Sequence, residues 1–126
     1  MEKDLKDILL KDLCARLPYG VKVREAIQGD FTLIGLTKER AFTTCEIEGC
    51  HNDFPIDLIK PYLFPLSSMT EGQTEELIKL INIGQNDNNE FMRSLCRIEF
   101  YHKYHFDYRG LIEKGLAIDA TNLNIY

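Results

Sequence analysis

Leu13-Cys14-Ala15-Arg16-Leu17-Pro18-Tyr19-Gly20-Val21-Lys22-Val23-Arg24 is where one periodicity stops and another starts. Upstream, Leu5, Ile8, Leu9, Leu13 and Leu17 recur at helical spacing, while Asp7 with Lys11 and Asp12 with Arg16 stand four apart. This predicts a helix over Lys3 to Leu17 with both charge pairs on its outer surface. Pro18-Tyr19-Gly20 ends it, because proline cannot donate to the ladder and glycine frees the backbone to turn. Downstream, Val21 to Arg24, Phe31 to Leu36 and Ala41 to Ile47 are rich in β-branched and aromatic residues, as strands are. Gly29-Asp30 and Thr37-Lys38-Glu39-Arg40 are too short for the crossovers that parallel strands need, so an antiparallel meander packed on the first helix is expected.

Further along, Glu48 to Asp53 reads as a polar loop and Phe54 to Leu58 as a fourth, edge strand. Pro61 and Pro65 bracket Tyr62-Leu63-Phe64, which predicts an extended path crossing the core without regular pairing. Ser67, Ser68 and Thr70 are good helix caps, and Thr70 with Gln73 has capping-box spacing ahead of a second helix over Glu75 to Asn82. Gly84 to Asn89 is a turn-prone cluster. Glu90 to about His105 carries Phe91, Leu95, Ile98 and His102 or Tyr101 on one face, which predicts a third helix. Leu116-Ala117-Ile118 either closes the sheet or covers it. The expected fold class is α+β: an N-terminal helix, a small antiparallel sheet of three to four strands, and two further helices in the C-terminal half, in a single domain over residues 1–126.

The chain of 126 residues is 44% hydrophobic and 28% charged, ordinary for a globular protein. Its net charge of −5 argues against a nucleic-acid partner, because neutralising phosphates dominates such binding. No apolar run approaches the length that spans a bilayer, so no membrane association is expected. Met1 to Asp7 alternates charge and lacks the form of a secretory signal, so residence in the cytoplasm is expected. There Cys14, Cys45, Cys50 and Cys96 are expected as free thiols, with Cys14 and Cys96 as core packing.

Chemistry concentrates in Phe100-Tyr101-His102-Lys103-Tyr104-His105-Phe106-Asp107-Tyr108-Arg109. Stacking faces beside an arginine suit a nucleobase with its phosphate, so Tyr101, Tyr104, His105, Tyr108 and Arg109 are the candidate ligand-binding residues. The bland reading is that these aromatics cap the core with their polar tips in water. His102, His105 and Asp107 have spacings that allow a shared metal, but zinc usually needs four ligands and neither HExxH nor paired CxxC occurs. Cys45, Cys50 and His51 lack a second ligand pair. Asp57, Lys60 and Tyr62 would form a polar pocket with Arg109 if the proline-bracketed segment packs on the C-terminal block. No phosphate loop, dinucleotide fingerprint or nucleophile elbow is present, so no catalytic residue and no cofactor is implied.

Three blocks go beyond pattern: Asp12 to Val23 (DLCARLPYGVKV), Ile59 to Thr70 (IKPYLFPLSSMT) and His105 to Ala117 (HFDYRGLIEKGLA). In that order they resemble a family of small uncharacterised proteins of gut Bacteroidales genomes and their phages and mobile elements, over most of the chain. The resemblance implies a context and no site. In that context the expected function is a non-enzymatic binding protein acting in the bacterial host cytoplasm on a host molecule, either a signalling nucleotide or a defence protein. The alternatives are a small metal-assisted hydrolase built on His102, His105 and Asp107, and a structural or assembly component of a virion or mobile element. A short sheet with open edges is compatible with a homo-oligomer.

Overall fold

The computed structural model describes residues 2–45, 49–85 and 90–126. The first helix, α1, is Lys3–Arg16, followed by a 3-10 turn over Leu17–Tyr19 that contains the expected proline. Gly20 then takes a left-handed φ of 69°, open to glycine without strain, and turns the chain into the sheet. One expectation for α1 is corrected. Asp12 and Arg16 are fully buried with Leu9 and Leu13. Positions 9, 12, 13 and 16 follow the i, i+3, i+4, i+7 rule of a single helical stripe, so the ion pair shares the inward face with the leucines.

The meander forms as expected, from β1 (Lys22–Glu25), β2 (Gly29–Leu36) and β3 (Arg40–Thr44), all antiparallel. The fourth strand, β4, is His51–Pro55 at the sheet edge, and Ile56–Leu58 is a 3-10 turn. Alternation sends Val23, Phe31, Leu33, Ala41 and Phe54 to one face, where they meet Leu9 and Leu13. Glu46 and Ile47, expected to continue the third strand, and Glu48 of the expected loop lie outside the described residues.

Two expectations about cysteine are corrected. Thr44 pairs with His51, which makes Cys45 and Cys50 the next facing positions, and these two form a disulfide with a Cα separation of 5.6 Å. A hairpin that places two Cα atoms this close meets the geometric requirement that spacing alone did not reveal. Cys14 is exposed and not core, because it lies off the 9, 12, 13, 16 stripe, and Cys96 is half-buried.

The largest correction concerns the proline-bracketed segment. Ile59–Pro65 is a regularly paired strand, β5, which lies next to β1 in the sheet. It changes partner along its length. Ile59, Lys60 and Pro61 pair antiparallel with β1, Tyr62 and Leu63 pair parallel with β7 (Ile118–Asp119), and Phe64 and Pro65 pair parallel with β6 (Phe106–Asp107). Each proline therefore needs a neighbour on one side only, which a residue without an N–H can supply. Among the described residues the sheet has seven strands and is mixed, not three or four and antiparallel, in an α+β fold with three helices. The segment does both jobs left open for it: Leu116 and Ala117 cover the core while Ile118 joins the sheet.

The second helix, α2, is Glu71–Gln85, so Gly84 and Gln85 are helical, while Asn86 to Asn89 lie outside the described residues. Its capping box is reciprocal: the Gln73 N–H donates to Thr70 Oγ1 at 3.1 Å and the Thr70 N–H donates to Gln73 Oε1 at 2.9 Å. The third helix, α3, is Glu90–Lys103 and buries Phe100 and His102. Among the described residues no helix is long and apolar enough to cross a membrane.

Candidate functional site

Residues 100–109 carry the chain from α3 into β6. α3 ends at Lys103, and His105 takes a left-handed φ of 60°, a region where histidine is enriched among side-chain-bearing residues. This reversal lets the His105 carbonyl accept the Phe64 N–H at 2.8 Å, which sets β6 beside β5. Phe100 and Phe106 are buried and stack on each other, so part of the cluster packs as an aromatic core, while the Tyr104 and Tyr108 hydroxyls bond Glu76 and His102.

The five candidate residues divide into two groups. Tyr101, Tyr108 and Arg109 belong to the first. The Tyr108 ring stacks on Tyr101 at 5.7 Å, and its hydroxyl hydrogen-bonds His102 Nε2 at 2.7 Å. The Arg16 and Arg109 guanidinium groups lie over the Tyr108 ring at 5.3 and 5.2 Å. Both arginines are already paired with buried Asp12: Arg16 Nε donates to it at 2.7 Å and Arg109 Nε stands 3.3 Å away. Arg16 also donates to the Phe106 carbonyl at 2.6 Å. The positive charge that a phosphate would need is spent inside the protein. Burial, helped by Arg16 and Arg109, pushes the His102 imidazole down to about 4.

Tyr104 and His105 form the second group and line a cavity of about 360 Å³, at the lower end of the size range of ligand pockets. Its aromatic surface comes from Phe64, Tyr104, His105, Phe106 and Tyr126, and its polar rim from Ser68, Thr70 and Gln73 at the start of α2, with Lys103, Thr121 and Asn122. Among the described lining residues Lys103 is the only charged one. His105 is 9% exposed, and among the described residues its buried Nδ1 has no hydrogen-bond partner. Burial first, then Arg16 and Lys22, push this imidazole down to about 4, so it is neutral near pH 7. Tyr126 stacks on it with ring centres 3.7 Å apart and planes 12° apart.

The conjectured metal ligands are not brought together. His102 is bonded to Tyr108, His105 stacks on Tyr126, and both Asp107 carboxylate oxygens accept backbone N–H groups, from Leu111 and Ile112 at 2.9 Å each. Cys45 and Cys50 are consumed by their disulfide. Among the described residues no three His, Cys, Asp or Glu side chains could hold a metal ion. Nor does Arg109 meet Asp57, Lys60 and Tyr62. The end of β5 does pack on the C-terminal block, but the Tyr62 hydroxyl donates to Asp30, Lys60 faces Arg24 across the ladder, and Arg109 is drawn to Asp12.

Phe64, Gln73, Asn122 and Tyr126 were not singled out as site residues. They come from separate stretches brought together by the β5–β6 and β5–β7 pairings, by the packing of α2 on α3 and by the bonds of Tyr126 to Lys22 and Tyr62. The one local signal was Asn122, whose residue type tolerates the φ of 66° found there. No known protein family matches the chain, and neither a curated protein nor a solved structure is significantly similar to it.

Proposed function

We propose that the chain is a non-enzymatic binding protein of a phage or mobile element, and that it takes a host nucleotide into the pocket between α2, α3 and residues 121–126. The observation that carries this reading is His105: an aromatic ring nine-tenths buried, held in a left-handed turn, with a ring nitrogen left unpartnered among the described residues, on the wall of an open cavity. A buried polar atom without a partner is costly, and strained backbone of this kind clusters at binding sites. The aromatic wall suits a base. Lys103 and the N-terminal turn of α2 supply the positive end for phosphate, and although Glu76 accepts one Lys103 hydrogen bond at 2.8 Å, an ammonium has three to give. The internal pairing of His102, Asp107 and Arg109 favours a binder over a hydrolase. The phage or mobile-element setting rests on the three sequence blocks alone.

Isothermal titration calorimetry against a panel of linear and cyclic mono- and dinucleotides tests the reading. At least one member is expected to bind, and His105→Asn, which keeps a residue tolerant of the left-handed turn, is expected to abolish that binding. A panel that fails entirely at millimolar concentration overturns the proposal.

A second reading, a protein partner, is favoured by α3. Phe91, Leu95 and Ile98 stand four and three apart and are exposed, as are Met92 on the same helix and Ile78 on α2. Stripes of this spacing pair helices, and a second copy of the chain is the simplest occupant. Sedimentation equilibrium is expected to give a dimer that Leu95→Glu with Ile98→Glu converts to monomer. A parent chain that stays monomeric at high micromolar concentration ends this reading.

A further inference from the structure

Tyr126 does two things at the pocket wall. Its ring covers His105 and lies beside Phe64, at 3.7 and 6.0 Å between centres. Its hydroxyl accepts the Lys22 N–H at 2.8 Å and donates to the Tyr62 carbonyl at 2.8 Å. The register explains why those two groups are there. Val23 faces Pro61, so Lys22 and Tyr62 are the next positions of the β1–β5 ladder. They bond through the phenol instead of to each other. The interrupted rung therefore offers one donor and one acceptor, and the group that fills it is the edge of a planar ring stacked on an imidazole.

Tyr126 is otherwise lightly held. Residues 121–124 are exposed, Asn122 and Asn124 have φ of 66° and 53°, and the last backbone hydrogen bond of the segment runs from the Leu123 N–H to the Ala120 carbonyl. Such a segment opens at low cost.

Resting on the nucleotide reading, we infer that the ligand is a nucleotide whose base replaces Tyr126: the ring stacks on His105, and an edge carrying an acceptor beside a donor, as N1 and the 6-amino group of adenine do, bonds the Lys22 N–H and the Tyr62 carbonyl. The phenol is a stand-in that the base displaces. Its occupancy lowers the apparent affinity by the fraction of molecules in which the slot is open.

Calorimetry with adenosine monophosphate as the probe tests this on the full chain. Tyr126→Phe keeps the ring but forfeits both hydrogen bonds, so the slot opens more often and binding tightens by about five-fold or more. Tyr126→Ala tightens it further. The N6,N6-dimethyl analogue, which lacks the donor, binds about ten-fold more weakly than the parent nucleotide. His105→Asn abolishes binding in every background. If both Tyr126 variants bind the probe more weakly than the parent chain, Tyr126 is a fixed wall and the exchange is overturned while the nucleotide reading stands. If Tyr126→Ala does not fold, Tyr126→Phe decides by the same sign. If neither the parent chain nor Tyr126→Phe binds any nucleotide of the panel, the underlying reading fails as well.

Discussion

At the scale of the residue, the two buried histidines define an acid response. His102 and His105 have ordinary values of 6.5 in the unfolded chain and about 4 in the fold, each pushed down mainly by burial. Above pH 6.5 both are neutral in either state and the fold keeps its full stability. As pH falls from 6.5 toward 4 the unfolded chain takes up protons that the fold refuses, so stability is lost across that window. The shift corresponds to about 3 kcal/mol per histidine at most, against a total of roughly 5–15 kcal/mol for a domain of this kind. The urea midpoint is expected to fall steeply between pH 6.5 and 4, and His105→Asn is expected to lessen that fall. An identical pH slope in the variant would show that His105 is not the group being titrated.

At the scale of the element, α2 begins where the pocket rim needs it because Thr70 and Gln73 satisfy each other's N–H groups. Thr70→Ala removes one of these bonds and is expected to cost about 1 kcal/mol, read as a lower thermal midpoint. Since Thr70 lines the cavity, the same variant should also weaken nucleotide binding; an unchanged affinity would detach the helix start from the site. This box was legible in four residues of sequence, as were α1, the meander and α3, because each is written in local periodicity or turn chemistry. β5 was not legible. Two prolines in seven residues argue against a paired strand unless its partners alternate, and β6 and β7, two residues each, carry too little pattern to announce themselves. The site suffered for the same reason: Tyr104 and His105 stood out in an aromatic cluster, whereas Phe64 and Tyr126 joined them through pairings that are parallel and long-range.

At the scale of the whole molecule, Arg16 ties the two ends of the chain together. It is fully buried, bonded to Asp12 within α1 and to the carbonyl of Phe106, ninety residues later, in β6. A buried ion pair gains little over a well-packed apolar pair, because desolvating both charges offsets their attraction, yet removing one partner leaves the other charge stranded. Arg16→Ala is therefore expected to cost about 3–5 kcal/mol, a large share of the total stability of a domain of this kind. The double change Arg16→Met with Asp12→Leu should recover most of that loss in urea titrations. It should not recover the geometry around β6, because the Phe106 carbonyl has lost its donor and Arg109 its carboxylate. Retained stability with weakened nucleotide binding would assign the pair to positioning the turn that presents His105, whereas a double variant as unstable as Arg16→Ala would assign it to holding α1 on the sheet.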